Sequence, residues 1–255
     1  MKIISYNVNG IRSAISKGLL DWMAVEDADV FCFQEVKADE HLIELESLRR
    51  RGYHIFWYSA VKKGYSGLAV ISRLKPLSVD LGMGIAEYDA EARIQRLDFE
   101  HFSLMNIYVP SGSSGDLRQN FKMRWLGDFH HHIQDILMRY PKLVVCGDFN
   151  ICHKHIDIHN PVSNKNSSGF LPEERQWLSG FIELGFIDVF RHFNPEPHRY
   201  TWWSYRANSR QKNLGWRIDY HMVTEALRPQ LAGSEILAGV IHSDHCPVRL
   251  ELASF

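Results

Sequence analysis

The feature that most constrains the fold of this chain is a series of short apolar runs that recurs along its length. The runs occupy residues 3–8, 30–33, 68–71, 104–109, 143–146, 218–223 and 247–252. They are too short for ordinary helices, and polar or turn-forming residues bound them, which is typical of strands with both faces buried. The runs therefore predict a sheet-rich core.

Helical patterns lie between several of these runs, at residues 19–26, 42–51, 118–140 and 172–184. Residues 92–99 and 102–109 are separated by only a short polar link, which predicts an antiparallel hairpin and hence mixed sheets. In a chain of 255 residues, strands with interspersed helices predict an α/β fold of two packed mixed β-sheets flanked by helices. We expect one domain over residues 1–255.

Composition narrows the class of protein. Hydrophobic residues make up 45% and charged residues 23% of the chain, which is ordinary for a globular protein. No apolar stretch reaches the ~18 residues that a membrane-spanning helix needs, and residues 1–4 lead directly into the first run. We therefore expect no membrane span, no secretion signal and a cytoplasmic location. Four cysteines without CxxC spacing fit such a reducing compartment.

The basic-aromatic segment, residues 198–218, has the most uneven charge composition of any stretch of the sequence. It contains no acidic residue and interleaves cations with aromatic rings, namely Arg199, Arg206, Arg210, Lys212 and Arg217 with Tyr200, Trp202, Trp203, Tyr205 and Trp216. The formal net charge of −1 does not argue against nucleic acid, because phosphate binding needs only a local basic face. The segment predicts such a face.

Polar side chains stand where the apolar runs end or begin. They are Asn7, Glu35, Tyr108, Asp148, Asn150, Asp219, Asp244 and His245. Strand ends on one rim commonly assemble sites, since the core fixes the direction of each side chain while the rim stays wet. We expect these side chains to meet at one rim.

The chemistry of these residue types suits phosphoryl transfer. The carboxylate of Glu35 is a hard ligand of the kind that Mg²⁺ prefers. Asp148 can accept a proton from water, and Asn150 can donate hydrogen bonds near a phosphate. Asp219 can hold His245 protonated. Taken singly, the same residues also fit structural roles, as a surface carboxylate, a turn or a packed histidine.

Six short motifs contain these residues. They are NVNGIR at residues 7–12, QE at 34–35, YVP at 108–110, GDFN at 147–150, GWRIDY at 215–220 and SDHCP at 243–247. In this order and spacing they cover nearly the whole chain and resemble the exonuclease III-type apurinic/apyrimidinic endonucleases of the endonuclease/exonuclease/phosphatase superfamily.

The resemblance implies a four-layered α/β sandwich and a DNA-repair activity. The implied reaction is hydrolysis of the phosphodiester 5′ to an abasic site in double-stranded DNA during base excision repair, which leaves a 3′-hydroxyl. A 3′ to 5′ exonuclease and a 3′ end-cleaning activity are expected beside it. The implied cofactor is Mg²⁺, with Mn²⁺ able to substitute, and the enzyme is expected to act as a monomer away from membranes.

The resemblance also implies roles for individual residues. The implied catalytic residues are Tyr108, which contacts the phosphate, Asp148, which activates water, Asn150 and His245, which stabilise charge, and Asp219, which orients His245. The implied surroundings of the metal are Glu35 as the chief ligand, together with Asn7, Asp148, Asn150, Asp244 and His245.

Contacts to DNA are expected mainly from the basic-aromatic segment. Trp202, Trp216 and Ile218 are expected to wall a pocket that admits a flipped sugar without a base. Arg206 is expected to contact phosphates or to wedge into the distorted duplex. The other expected contacts are Arg12, Lys17, Tyr65, Asn164, Arg210 and Lys212. Ser111 stands where related enzymes often carry an amide side chain, so one phosphate contact is expected to differ.

Two other functions use the same features. A phosphatase or phosphodiesterase of the same superfamily would act on a lipid or inositol phosphate, and a catalytically silent protein would bind DNA without cutting it. The basic-aromatic segment and the lack of an apolar membrane-facing loop disfavour the first. The complete set of catalytic residue types disfavours the second.

Overall fold

Two six-stranded β-sheets pack face to face in the computed structural model, which describes residues 1–255. The strands are β1 (Lys2–Asn7), β2 (Val30–Gln34), β3 (His54–Tyr58), β4 (Leu68–Ser72), β5 (Ser78–Leu81), β6 (Ile94–Asp98), β7 (Ser103–Tyr108), β8 (Leu143–Asp148), β9 (Phe186–Asp188), β10 (Asp219–Thr224), β11 (Leu231–Ile236) and β12 (Val248–Leu252). The first sheet has the order β11-β12-β1-β2-β4-β3, and the second has the order β5-β6-β7-β8-β10-β9. β1 pairs with β2, and β7 with β8, in parallel, whereas β12 and β10 pair antiparallel with β1 and β8, so both sheets are mixed.

Helices cover the outer face of each sheet. They are α1 (Ile11–Ser16), α2 (Leu19–Glu26), α3 (Glu46–Arg50), α4 (Ala86–Asp89), α5 (Asp116–Arg139) and α6 (Pro172–Glu183). A further short helix, α7 (Val189–Phe193), instead contributes Val189 to the core between the sheets. One apolar core joins α1, α2 and α3 to the first sheet, and another joins α5 and α6 to the second. A third core, which includes Val30, Leu104 and Val144, lies between the sheets. This four-layered α/β sandwich confirms the predicted fold.

The central strands form continuous apolar runs because both of their faces are covered. Every residue of β2 and of β8 is buried. In each strand, alternate side chains enter the core between the sheets and the core under the helices. Burial of a large apolar side chain stabilises the fold by roughly 1.5–3 kcal/mol. No helix in the structure combines the length and the apolar character needed to cross a membrane.

The four strands that neither the apolar runs nor the hairpin over residues 92–109 predicts are the four edge strands. β3 and β11 end the first sheet, and β5 and β9 end the second. β3, β5 and β11 are half-buried or exposed along their length, and β9 has only 3 residues. An edge strand meets water on one side, so its residues need not be apolar. The hairpin predicted from residues 92–109 is confirmed, with β6 antiparallel to β7.

The helix predicted over residues 42–51 is interrupted. A 3-10 turn at Glu40–Leu42 gives way to extended backbone at Ile43, and α3 begins only at Glu46. Leu45 and Ile43 both pack into the core beneath the first sheet. The packing of these two side chains therefore overrides the helical propensity of the stretch. The short helices α1, α4 and α7 were not predicted, because a period of 3.6 residues is hard to detect over one turn or two.

The carboxyl ends of the central strands meet at one rim. In the first sheet Asn7 at the end of β1 lies opposite Gln34 at the end of β2. In the second sheet Asp148 at the end of β8 lies between Tyr108 of β7 and Asp219 of β10. The polar residues expected at strand ends therefore lie close together.

Gly147 allows β8 to approach β7 at this rim. Its φ is +142°, and an added Cβ would stand 1.9 Å from the carbonyl oxygen of Ile107. Any side chain at this position would push the two strands apart. The position of Asp148, the next residue along β8, depends on this close approach.

Candidate active site

Glu35, Asp148 and His245 form a cluster at the rim. One potential ligand atom from each residue lies within 4.8 Å of those from the other two. Asn7 links the two carboxylates, since its Nδ2 donates to Glu35 Oε1 at 2.8 Å and to Asp148 Oδ2 at 2.9 Å. Distant parts of the chain thus converge on one small space.

Lys37 lies against the outer side of Glu35. Its Nζ is 2.7 Å from Glu35 Oε2 and donates to Asn9 Oδ1 at 2.5 Å. Burial alone would raise the pKa of Glu35, but the Lys37 ammonium and the Asn7 amide outweigh burial and lower that pKa. Glu35 is therefore ionised at neutral pH.

Asp148 is buried, and the pKa of its carboxyl is raised from 3.8 to about 7. Burial is the main cause, and the neighbouring Asp219 carboxylate adds to the rise, whereas His245 opposes it. Asp148 Oδ1 accepts the backbone N–H of Asn150 at 2.8 Å, which fixes the carboxylate plane. A carboxylate that titrates near neutral pH is well suited to take a proton from water.

The His245 ring is held by Asp219. Its Nδ1 lies 2.9 Å from Asp219 Oδ2, and its Nε2 lies 3.9 Å from Asp148 Oδ2. Burial alone would lower the pKa of His245, but the surrounding carboxylates, Asp219 first, raise it to about 10. The ring is therefore an imidazolium at neutral pH, with its Nε2–H on the side of Asp148.

Asn150 and Tyr108 complete the floor of the site, which we define as Glu35, Tyr108, Asp148, Asn150 and His245. Asn150 Nδ2 donates to the carbonyl of Val109 at 2.9 Å and lies 3.3 Å from Asp148 Oδ2. Burial and the nearby Glu35 carboxylate raise the pKa of the Tyr108 hydroxyl. That hydroxyl therefore stays protonated and can donate a hydrogen bond.

Asp244 lies beside the three-residue cluster rather than in it. Its Oδ2 accepts the indole N–H of Trp202 at 3.0 Å, and its Oδ1 accepts Asn9 Nδ2 at 3.0 Å. Burial alone would raise the pKa of Asp244, but the His245 imidazolium and these donors lower it. The Asp244 carboxylate therefore connects the floor to Trp202.

A cavity of about 400 Å³ opens above the floor. Trp202, Trp216 and Ile218 form its apolar wall, with the two indole rings edge to face at 6.0 Å. The remaining lining comes from the floor together with Ser111, Ser113, Ser168, Gly169 and Asp244. One side of the cavity is apolar and the other carries ionised groups, which suits a ligand with an apolar face and an attached anion.

The cations expected to contact DNA fall into two groups. Arg12, Arg206 and Lys212 are exposed and extend into solvent. Lys17 and Arg210 instead donate to backbone carbonyls of the protein, Lys17 to His242 at 3.1 Å and Arg210 to Ser243 at 3.0 Å. The DNA contacts of both groups stay predictions.

Tyr65 and Asn164 are also engaged within the protein. The Tyr65 hydroxyl accepts from Arg93 at 3.0 Å and from Arg118 at 2.9 Å. Tyr65 lines a second cavity, of about 300 Å³, together with Arg12 and Lys37. The side-chain amide of Asn164 donates to the carbonyls of His159 and Asn160 at 3.2 and 3.0 Å.

A buried ion pair that the sequence motifs did not predict lies beneath the floor. Lys122 and Glu174 are fully buried, with Nζ 2.6 Å from Oε1. Lys122 Nζ also donates to the Asn150 carbonyl at 2.8 Å, and Glu174 accepts the Gly169 N–H at 2.6 Å. The pair therefore ties the floor and the cavity lining to α5 and α6. A lysine on the same helical face as Trp125 was the available signal.

Lys37 and Arg93 were missed as well. Lys37 neutralises part of the charge of Glu35, and only its position two residues after Glu35 hinted at this contact. Arg93 is buried, donates to the Tyr108 carbonyl at 2.9 Å and stacks 4.5 Å from the Tyr108 ring centroid. Arg93 thus supports the floor from below.

The donor set fits a divalent metal ion. Glu35 and Asp148 offer carboxylate oxygens, the ligand type preferred by Mg²⁺ and accepted by Mn²⁺. Carboxylates outnumber cations in this site, where Glu35, Asp148, Asp219 and Asp244 face Lys37 and His245. A bound cation would balance the excess negative charge, so the cluster could hold a metal.

Comparisons with known proteins identify the family of this chain. Residues 4–245 match the Endonuclease/Exonuclease/phosphatase family. The chain is 43% identical over 252 residues to an exodeoxyribonuclease of Bacillus subtilis (strain 168), with 98% of each chain covered.

Two solved structures superpose on the whole chain and are themselves fully covered. One is a 3′ phosphatase from Neisseria bound to a product DNA hairpin, with a TM-score of 0.93 and 28% identity. The other is an AP endonuclease from Archaeoglobus fulgidus, with a TM-score of 0.91 and 29% identity. The match along the sequence, the four-layered fold and the six motifs agree. This chain belongs to the endonuclease/exonuclease/phosphatase family.

Proposed function

We propose that this protein is a metal-dependent DNA-repair nuclease that hydrolyses the phosphodiester 5′ to an abasic site in double-stranded DNA. The observation that carries the proposal is the apolar wall of Trp202, Trp216 and Ile218, which shares one cavity with Asp148 and His245. A sugar without its base would rest against the wall while its 5′ phosphate faces the ionised floor. A sugar that still carries a base would be excluded by its size.

The floor supplies the groups that hydrolysis of a phosphodiester needs. Asp148 accepts the proton of the attacking water, because burial and the neighbouring Asp219 raise the pKa of its carboxyl to about 7 in the metal-free site. The His245 Nε2–H and the Tyr108 hydroxyl stabilise the charge that develops on the phosphate oxygens. The Asn150 amide would join them by exchanging its long bond to Asp148 for one to the phosphate. Displacement breaks the P–O3′ bond, which leaves a 3′-hydroxyl on the preceding nucleotide and the phosphate on the abasic sugar.

His245 serves as a hydrogen-bond donor in this proposal, because Asp219 faces its Nδ1 and its Nε2 lies on the side of Asp148. Asp219 keeps the ring in the imidazolium form. Glu35 would be the chief metal ligand, with Asp148, Asn150 and Asp244 nearby. Asn7 would have to turn its amide oxygen toward the ion, since its Nδ2 faces the carboxylates. Mg²⁺, or Mn²⁺ in its place, would supply positive charge to the phosphate oxygens.

The same floor would also serve 3′ to 5′ exonuclease and 3′ end-cleaning reactions, because each breaks a phosphoester at the 3′ side of a sugar. The exposed Arg12, Arg206 and Lys212 would contact phosphates of the duplex. We expect residues 1–255 to work as one catalytic unit, as a monomer and in the cytoplasm. Two alternative functions explain the cavity less completely. A phosphatase acting on lipid or inositol phosphates would not need the apolar wall beside the floor, and a silent DNA-binding protein would not need the floor.

The experiment that tests the proposal compares three labelled duplexes, one with an abasic site, one with a recessed 3′ end and one with a 3′-phosphate. Each is incubated with the protein in Mg²⁺ and, separately, in EDTA. We expect a cut 5′ to the abasic site that requires the metal. Cleavage of the other two duplexes without incision of the abasic one, or undiminished incision in EDTA, would contradict the proposal.

A further inference from the structure

The return loop, residues 237–247, connects β11 to β12 and carries Asp244 and His245 into the site. It contains no helix or strand, so few of its own hydrogen bonds fix its path. Within it, Val240 N donates to the Leu237 carbonyl at 3.0 Å, Leu237 N to the Pro247 carbonyl at 2.9 Å and His245 N to Ser243 Oγ at 3.3 Å. The position of this loop must therefore depend on the parts of the protein that pack against it.

Arg210 of the basic-aromatic segment holds the return loop from one side. Its Nη1 donates to the Ser243 carbonyl at 3.0 Å, and its Nη2 donates to the carbonyls of Ala238 at 3.0 Å and Val240 at 2.5 Å. The guanidinium also lies 4.7 Å from the centroid of the Trp203 ring. These contacts occupy most of the donor fork and leave little of it for a phosphate.

Neighbouring contacts strengthen this connection. The backbone N–H of Trp203, the ring under Arg210, donates to the Asp244 carbonyl at 3.1 Å. On the opposite side, Lys17 Nζ donates to the His242 carbonyl at 3.1 Å. The three carbonyls that Arg210 binds span the loop up to the residue before Asp244, so loss of the guanidinium would remove three of the hydrogen bonds that hold this stretch.

We infer that Arg210 is a positioning residue that fixes the return loop so that Asp244 and His245 stand in register with Asp219, and that it is not a contact to DNA phosphates. The inference rests on the proposed function, because the loop matters to catalysis only if His245 acts on a phosphate. A displacement of about 1 Å in such a site costs about 10²-fold in rate. Lysine, a flexible point charge, cannot bridge three carbonyls as the planar guanidinium does.

The test uses Arg210→Gln and Arg210→Lys in the full chain. We expect the single-turnover rate on an abasic duplex to fall about 10²-fold in Arg210→Gln and less in Arg210→Lys. The affinity for the uncut duplex in EDTA, and its dependence on salt, should stay as in the wild type. Hydrogen exchange of the return-loop amides, followed by mass spectrometry, should become faster in both variants.

Two further variants of the same segment serve as comparisons. Arg199→Gln removes an exposed cation outside both the loop contacts and the predicted DNA contacts, and should leave every readout unchanged. Lys212→Gln should reduce the slope of log affinity against log salt by about 1, as expected of a phosphate contact.

The inference would be overturned if Arg210→Gln behaved like Lys212→Gln, or if both Arg210 variants kept the wild-type rate and loop exchange. Should Arg210→Gln fail to fold, Arg210→Lys carries the test, since it keeps the charge and the aliphatic stem. A wild-type protein that cuts no DNA would defeat the proposed function instead. In that case faster loop exchange in Arg210→Lys would still support the contact, and unchanged exchange would refute it.

Discussion

The floor of the site and the apolar wall beside it are held in place by different means. The floor stands at the ends of buried strands, where Asp148 faces Asp219 in sheet register. The wall belongs to the basic-aromatic segment, where isolated bridges join Trp202 to Trp216 and to His245. Apart from His245, which the loop between β11 and β12 carries, regular strands thus place the groups suited to chemistry. An irregular segment shapes the cavity and depends on side-chain contacts to keep its position.

The cations of the basic-aromatic segment also differ from one another in exposure and in their partners. Arg206 and Lys212 are exposed, whereas Arg217 is buried and forms ion pairs with Asp157 at 2.8 Å and Asp188 at 2.7 Å. Burial alone would raise the pKa of Asp157, but Arg217 lowers it to about 2. A count of basic residues therefore overstates the surface available to a phosphate backbone.

The largest expected effect comes from the floor. Replacement of Asp148 by Asn removes the general base and should lower the single-turnover rate on an abasic duplex by about 10²–10⁴-fold. Binding of the uncut duplex, measured by fluorescence anisotropy, should persist because the wall and the surface cations are unchanged. Asp21→Asn, which alters an exposed acid on α2, is the matched control. A variant at position 148 that keeps most of its rate would show that the base lies elsewhere.

Removal of the buried ion pair beneath the floor should have the next largest effect. Lys122→Met leaves Glu174 as an unpaired buried carboxylate, which costs about 3–5 kcal/mol of the free energy of unfolding. Urea denaturation of this variant and of Lys165→Met, an exposed lysine, measures the difference. Equal stability of the two variants would mean that the pair does not anchor the floor.

An effect of intermediate size is expected on the protonation of His245. Its pKa in the folded metal-free protein is raised from 6.5 to about 10, so the imidazolium contributes stability that is complete below pH 6.5 and is lost as the pH rises through about 10. Nitrogen-15 shifts of the ring, followed from pH 6 to 11, should place the midpoint well above 6.5. Asp219→Asn should move that midpoint down. A wild-type midpoint near 6.5 would remove the donor role assigned to His245.

The smallest expected effect comes from the exposed cations of the segment that carries the wall. Arg206→Gln should weaken binding to duplex DNA and reduce the salt slope by about 1, because a single phosphate contact is lost. The single-turnover rate at saturating DNA should change little. Titrations at several salt concentrations measure this slope. An unchanged slope would place Arg206 outside the DNA contacts.

Sequence patterns predicted the central strands and the residue types at their ends. Buried strands carry a strong apolar signal, and the end of a strand fixes where a residue such as Asp148 can stand. The edge strands were missed because water covers part of each, which removes the need for apolar residues. The apolar pattern of the sequence therefore predicts the central strands of the sandwich better than its edge strands.

Contacts between distant side chains could not be predicted in the same way. The composition of the basic-aromatic segment does not reveal that Arg210 turns to the return loop while Lys212 faces solvent, because both depend on how the chain folds back. The bond between Lys122 and Asn150 likewise depends on how α5 packs against the second sheet. Roles carried over by resemblance, such as phosphate contact by Tyr108, stay predictions until variants are measured.

The central claim is that the floor directs water onto the phosphorus atom 5′ to a base-less sugar. Cleavage of an abasic duplex in water enriched in oxygen-18, with mass spectrometry of both fragments, tests this claim most directly. One heavy oxygen is expected in the 5′-phosphate of the abasic fragment, and an unlabelled 3′-hydroxyl is expected on the other fragment. An unlabelled phosphate, or an unsaturated sugar left at a 3′ end, would contradict it.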